Sequence, residues 1–204
     1  MPKPYQTHFR RHDPVLHGVV RQVGPFTLKP SRERFGMLVK SIISQQISTG
    51  AARAIRGRLE ALVGPRGMRP ETLAALSIEQ LRSVGLSPQK ASYVHDLAAK
   101  VQEGAVRLTR LSARSDEEIV ENLVQVHGIG RWTAQMFLIF ALGREDVFPI
   151  DDFGVRSAIK SLYALDDTAQ KAQFAAIGER WRPFASIGSW YCWRYLDLRK
   201  TQAA

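Results

Sequence analysis

The chain has 204 residues, 45% of them hydrophobic, so it can bury a substantial core as one large domain or two small ones. Its 29 Lys and Arg against 19 Asp and Glu leave a formal net charge of +10, which favours a polyanionic partner, nucleic acid first of all. The single Cys192 excludes an internal disulfide and a four-cysteine iron–sulfur cluster, and without an apolar run of about 18 residues we expect a cytoplasmic protein with no membrane segment.

The first half of the chain alternates predicted helices with turns. Apolar residues at helical spacing predict the first strong helix, on one face of which lie Phe35, Leu38, Val39, Ile42 and Ile43. The polar stretch Ser44–Ser48 follows it, and a second helix should run to Gly64-Pro65. Two more short helices are predicted over Leu73–Leu81 and Lys90–Val101.

The second half is also helical. Ser115 and Glu118 have capping-box spacing, and their helix should end at His127-Gly128-Ile129-Gly130. Further helices are expected from Trp132 to Gly143, from near Phe153, and within 169–198. The prediction is an all-α fold.

Two glycines flank Ile129 between apolar-faced helices. Gly128 and Gly130 allow a tight turn after which backbone amides can approach a phosphate, whereas the alternative is an ordinary helix connection. The surrounding residues decide between these interpretations.

The hairpin and its surroundings resemble the helix-hairpin-helix DNA glycosylase superfamily (the HhH-GPD fold), and within it the AlkA-type DNA-3-methyladenine glycosylase II. The matching motifs are Gly-Ile-Gly-Arg-Trp-Thr-Ala over 128–134 and Val-Phe-Pro-Ile-Asp-Asp over 147–152, and the resemblance extends from about Phe35 to Tyr195. One departure is His127, where the family often has proline. Because only about thirty residues precede the first helix of the match, the chain looks like a compact form lacking the N-terminal β-rich domain of longer members.

The resemblance implies two helical subdomains flanking a DNA-binding cleft: a central bundle, 32–142, and a second subdomain formed by 1–31 with 143–204. It also implies a monofunctional glycosylase that removes alkylated bases of the 3-methyladenine and 7-methylguanine type from double-stranded DNA and so initiates base excision repair. It implies no cofactor and no catalytic metal; a monovalent cation at the hairpin would be structural. We expect a monomer, nucleoid-associated if the source is bacterial. The alternatives are a glycosylase for uracil, hypoxanthine or a mismatched base, and a non-catalytic helix-hairpin-helix module that only holds DNA.

The family pattern places the catalytic carboxylate at Asp152 and makes Asp151 a supporting or helix-capping residue beside the base pocket. A carboxylate suits this reaction because positive charge builds on the sugar in the transition state. The alternative from spacing alone is that both aspartates only cap the helix that follows.

The resemblance also predicts aromatic pocket residues. Trp132 occupies the position where bifunctional relatives carry a nucleophilic lysine, so it offers a π-face to a flipped base; the alternative is a buried packing residue. Trp190 is assigned to the pocket through the resemblance alone. Met136, one turn beyond Trp132, is placed to line the same pocket.

Gln46 is the predicted wedge that fills the gap left by a flipped base, with Gln45 beside it, because the family presents its minor-groove wedge here. The alternative is that both are helix-surface residues. Arg131 is the basic residue closest to the hairpin and is the predicted phosphate contact; Arg53, Arg56, Arg58 and Lys90 are further candidates or generic surface charge.

Overall fold

The computed structural model describes residues 3–202. The regular structure of these residues is helical, and no β-strand occurs among them. This confirms the all-α prediction. The α-helices are α1 (Pro4–His12), α2 (Pro14–Val23), α3 (Arg34–Ser44), α4 (Thr49–Val63), α5 (Pro70–Ala74), α6 (Ile78–Ser83), α7 (Pro88–Gln102), α8 (Asp116–Leu123), α9 (Arg131–Phe137), α10 (Phe153–Leu162), α11 (Lys171–Trp181) and α12 (Ala185–Gln202).

The chain divides into two compact units. The central unit comprises Ser31–Leu142 and holds α3 to α9. The terminal unit comprises the residues up to Pro30 and those from Gly143 onward, and holds α1, α2 and α10 to α12. Within residues 3–202, no helix has both the length and the apolar composition that a bilayer crossing requires.

Serine caps set where helices of the central unit begin. Ser48, Ser77, Ser87 and Ser115 each precede a helix, and each side-chain oxygen accepts a hydrogen bond from the amide three residues later. At Ser115 the Glu118 carboxylate also accepts from the Ser115 amide at 2.7 Å, so the predicted capping box is confirmed.

Two predicted helices of the central unit have different ends in the structure. The stretch Leu73–Leu81 is broken because Ser77 caps a new helix, α6. Helix α8 ends at Leu123 rather than at the glycines, because the chain then makes two tight turns in which the amide of Val126 donates to Leu123 O and that of Ile129 to Val126 O, both at 3.1 Å.

Aromatic side chains fill the core of the terminal unit. Trp181, Tyr191, Phe9 and Phe174 are fully buried there. Complete burial of side chains this large accounts for much of the hydrophobic stabilisation of a small helical unit. Three of these four aromatic residues lie in the C-terminal third, which therefore supplies much of this core.

A buried carboxylate, Asp13, joins three helices of the terminal unit. Its Oδ1 accepts from the Leu16 amide at the start of α2, and its Oδ2 accepts from Tyr163 Oη at 2.5 Å and Trp181 Nε1 at 2.9 Å. Burial and the bond to Asp13 raise the pKa of Tyr163 far above its usual value. Tyr163 follows the last residue of α10, so Asp13 fixes one end of the helix whose other end carries Asp152.

Candidate functional site

The turn between α3 and α4, residues 45–48, is here named the wedge turn. Gln46 is exposed and has a left-handed backbone, with φ of 54°. A non-glycine residue pays roughly 1–2 kcal/mol for that conformation. Gln45 and Gln46 both lie outside α3 and α4, so the helix-surface alternative is wrong.

The glycine hairpin, residues 128–130, uses its three residues differently. Gly128 has φ of 81°, and a Cβ there would lie 2.1 Å from the Tyr93 ring. Ile129 is 3% exposed, so its side chain belongs to the core and only its main chain remains for DNA. Gly130 has extended backbone and caps α9, and a Cβ there would meet no described atom within 4 Å.

The wedge turn and the hairpin are bonded to each other. The side-chain amide of Gln45 donates from Nε2 to Gly128 O at 2.8 Å. These residues are 83 positions apart in the chain, so sequence spacing gave no sign of the contact.

Residue 127 is a histidine at a position where the resemblance leads one to expect proline. Its backbone N–H, which proline lacks, donates a hydrogen bond. Its backbone N–H donates to Asp96 Oδ2 at 2.8 Å, and Lys100 Nζ donates to the same oxygen at 2.8 Å. Desolvation raises the pKa of Asp96, but the bonds from Lys100 and His127 outweigh it and the net pKa is lowered. Asp96 therefore supports the entry to the hairpin as a carboxylate.

The basic candidates fall into two groups. Arg131 is exposed and forms a bidentate pair with Glu117, at 2.7 and 2.6 Å, and this hydrogen bonding raises the pKa of Arg131. Water and salt screen this solvent-exposed pair, so a phosphate can compete with Glu117 for Arg131. By contrast, Lys90 and Arg58 donate to backbone carbonyls of the central unit, which is a structural use.

Trp132 and Met136 lie one turn apart on α9. Trp132 is 42% exposed and Met136 is 8% exposed. The alternative that Trp132 is a buried packing residue is therefore wrong, whereas Met136 is largely buried.

Asp152 is a buried carboxylate at the N-terminus of α10, 7% exposed. Its Oδ1 accepts from the Val155 amide at 2.8 Å and from Trp193 Nε1 at 2.9 Å. Asp152 thus does cap α10, but the indole bond is one that a simple helix cap does not require. Both donors fix the orientation of the carboxylate.

Asp151 is exposed and turned to a different partner. Its two oxygens accept from Lys171 Nζ at 2.7 and 3.0 Å. The helix cap belongs to Asp152, so the capping alternative for Asp151 is wrong, and its supporting role stays a prediction.

The tryptophan in contact with Asp152 is Trp193, which the sequence interpretation did not single out. Trp190, the predicted pocket residue, is 8% exposed and packs edge-on against Phe26 and Tyr191, with ring centroids 5.1 and 4.9 Å away. Trp193 is only half-buried and stands beside Gly154, whose Cβ would lie 3.0 Å from the indole. Within the terminal unit, Trp190 is therefore a core residue and Trp193 the aromatic at the carboxylate.

Comparison with known proteins gives one family. Residues 39–183 match the HhH-GPD superfamily of base excision DNA repair proteins. A Bacillus subtilis protein, YfjP, whose name assigns it provisionally to the DNA-3-methyladenine glycosylases, is 35% identical over 169 residues, which are 80% of this chain and 59% of that protein. The chain thus spans less than two thirds of this relative.

Two solved structures are similar over most of their length. The crystal structure of a DNA-3-methyladenine glycosidase from Bacillus halodurans has a TM-score of 0.84 and 33% identity, covering 94% of this chain and 88% of that one. The Schizosaccharomyces pombe 3-methyladenine DNA glycosylase Mag1, in complex with abasic DNA, has a TM-score of 0.81 and 29% identity, covering 94% and 96%. The family match includes the wedge turn, the hairpin and Asp152 but ends before Trp190 and Trp193.

Proposed function

This chain belongs to the HhH-GPD superfamily of base excision DNA repair proteins, and we propose that it is a monofunctional glycosylase that hydrolyses the N-glycosidic bond of alkylated bases in double-stranded DNA. The observation that carries the proposal is the buried carboxylate of Asp152, held by an amide and an indole donor. Relatives and structural neighbours named as 3-methyladenine glycosylases support the substrate class.

The proposed chemistry needs one well-placed negative charge. As the glycosidic bond breaks, the leaving base takes the bonding electron pair and positive charge develops on the sugar. Asp152 stabilises that charge, and a water oxygen bonds to C1′ while its surplus proton passes to bulk water. A base such as 3-methyladenine already carries positive charge and leaves as a neutral molecule, so no general acid is required.

Hydrolysis rather than strand cleavage follows from Trp132. An indole has no nucleophilic amine, so it cannot form the covalent intermediate through which a lysine nicks DNA. We propose that its exposed ring offers a π-face to an electron-poor base, with Met136 beside it.

DNA is held through the central unit in this proposal. The net charge of +10 supplies sequence-independent attraction to DNA. The main chain at Gly128 and Gly130 approaches phosphates, as does the side chain of Arg131, and Gln46 enters the base stack.

No cofactor takes part. A monovalent cation at the hairpin would be structural, bound by main-chain carbonyl oxygens, which are the ligand type hard cations prefer. We further propose a monomer that works wherever the cell keeps its DNA, at the nucleoid in a bacterium.

The test is to incubate N-methylated duplex DNA with the protein and to measure released 3-methyladenine and 7-methylguanine by chromatography. We expect release of both bases, with the strand intact until alkali or heat cleaves the abasic site. Strand nicking without that treatment would contradict the monofunctional mechanism. Release of uracil or hypoxanthine alone would reassign the lesion, and DNA binding with no base release at all would favour a non-catalytic module.

A second prediction concerns the indole bond to Asp152. Trp193→Phe keeps an aromatic ring but removes the Nε1 donor, which sits 2.9 Å from Oδ1. Because a hydrogen bond to a charged group contributes about 1.5–3 kcal/mol, we expect kcat to fall by about 10–100-fold with KM little changed. Single-turnover base release measures this.

Trp190→Phe is the matched control for that substitution. It makes the same chemical change three residues earlier, in a ring that packs against Phe26 and Tyr191. We expect this variant to lose thermal stability through lost packing and to keep kcat closer to wild type. Equal kcat losses in the two variants would remove Trp193 from its positioning role.

A further inference from the structure

The left-handed conformation of Gln46 needs support from elsewhere in the molecule. Sparsely populated backbone conformations persist at non-glycine residues only where surrounding structure over-determines them. Packing does not supply that support, because a surface depression of about 390 Å³ lies between the wedge turn and α7, lined by Gln46, Gln89 and Tyr93 among others. Hydrogen bonds are the remaining candidates.

Lys90, in the first turn of α7, supplies two of them. Its Nζ donates to Ile43 O at 2.9 Å, in the last turn of α3, and to Gln45 O at 2.5 Å, the carbonyl directly before the left-handed residue. A cation is favoured here, since the C-terminal end of α3 carries partial negative charge. Desolvation by burial lowers the pKa of Lys90, in keeping with an ammonium group partly withdrawn from water.

Helix α7 holds both the wedge turn and the hairpin. Three residues after Lys90, the Tyr93 ring lies against Gly128 of the hairpin. Gln45, whose carbonyl Lys90 binds, donates its own side-chain amide to Gly128 O. The amide of Lys90 is itself bonded to the Ser87 cap, so the position of this lysine is fixed by the helix start.

We infer that Lys90 is a positioning residue for the wedge: by donating to Ile43 O and Gln45 O, its ammonium group holds Gln46 in the conformation that enters the base stack. This rests on the proposed function. It replaces a role for Lys90 as a phosphate contact, because two of its three N–H donors are directed at protein carbonyls.

The test compares two DNA duplexes, one undamaged and one with a stable abasic-site analogue, bound by wild type and by Lys90→Met. A wedge acts only where a gap exists in the stack. We therefore expect Lys90→Met to weaken binding to the abasic duplex by about tenfold, because the charge-assisted hydrogen bonds that hold the wedge are lost. Its affinity for the undamaged duplex should stay within about twofold of wild type. Lys40→Met is the matched control, because it also removes one positive charge, here from α3, where Lys40 pairs with exposed Glu33. We expect it to change the affinity for neither duplex.

Salt dependence separates the two roles of Lys90. A phosphate contact predicts that Lys90→Met weakens both duplexes alike and lowers the slope of log affinity against log salt by about one. That outcome, or no change on either duplex, would overturn the positioning role. If wild type itself neither prefers the abasic duplex nor releases methylated bases, the proposed function fails, a result distinct from the failure of this inference.

A second variant pair tests the backbone directly. Asparagine tolerates the left-handed region better than glutamine, so in a Gln46→Asn background the further loss caused by Lys90→Met should shrink to less than about threefold. An undiminished tenfold loss in that background would contradict the inference. If Lys90→Met melts below the assay temperature, Lys90→Gln replaces it, because glutamine keeps a side-chain N–H donor. We expect Lys90→Gln to cause an intermediate loss of affinity for the abasic duplex alone. An equal loss of affinity for both duplexes would contradict the positioning role.

Discussion

Asp152→Asn is expected to slow release of 3-methyladenine by about 10²–10³-fold, the effect of removing one preorganised electrostatic group from an active site. The asparagine Oδ1 can still accept from the Val155 amide and from Trp193 Nε1, so the start of α10 and the orientation of the side chain should survive. The substitution removes the negative charge and turns the second oxygen of the side chain into an NH2 donor. Single-turnover release from methylated duplex DNA measures the effect.

The control for this prediction is the neighbouring isosteric change. Asp151→Asn breaks a solvent-exposed pair with Lys171, an interaction worth at most about 1 kcal/mol, so we expect activity within about twofold of wild type. Asp152→Asn should also keep wild-type affinity for an abasic duplex. If Asp152→Asn stayed fully active while Asp151→Asn lost activity, the superfamily assignment would remain but the choice of carboxylate would be wrong.

Helix positions were predictable because they depend on local signals. Ser115 and Glu118 form the capping box that their spacing predicted, and Asp152 begins α10 one residue before Phe153. Such caps act over three residues, so a single sequence contains all the information. The left-handed Gln46 was different, since nothing local favours that conformation in glutamine.

The choice between Trp190 and Trp193 could not be made from the sequence. The first eight residues of α12, Ala185–Cys192, are all buried, so this part of the helix has no polar face and no amphipathic period to indicate orientation. The family match ends at residue 183, before either tryptophan. Only the position of Asp152 in three dimensions identifies Trp193.

Charged residues bonded to distant backbone or side-chain atoms were also missed. Lys90 is 47 positions from Ile43, and Asp13 is 150 positions from Tyr163. The local sequence indicates only a helix cap at Asp13, which precedes Pro14, and only a surface charge at Lys90. Their structural roles depend on tertiary contacts, which a periodicity argument cannot show.

Gly128→Ala is expected to destabilise the central unit by about 2–5 kcal/mol, the sum of left-handed backbone strain and overpacking. The added methyl would lie 2.1 Å from Tyr93 Cδ2 at a residue with φ of 81°. The clash includes Tyr93 Cγ, so the ring can clear the methyl only by leaving its present rotamer and with it the bond that Gln89 Nε2 donates to Tyr93 Oη. Chemical denaturation of the DNA-free protein measures the loss.

Gly130, the other glycine of the hairpin, provides the control for this prediction. Gly130→Ala adds the same methyl where the backbone is extended and no clash results, so the loss should be only about 0.5–1 kcal/mol, as expected when alanine replaces glycine at a helix N-cap. Its effect should instead fall on DNA affinity, by about tenfold, if the main chain there approaches a phosphate. In a Tyr93→Ala background the steric part of the Gly128→Ala penalty disappears and about 1–2 kcal/mol of backbone strain remains. A full penalty in that background would show that Tyr93 is not what requires glycine at position 128.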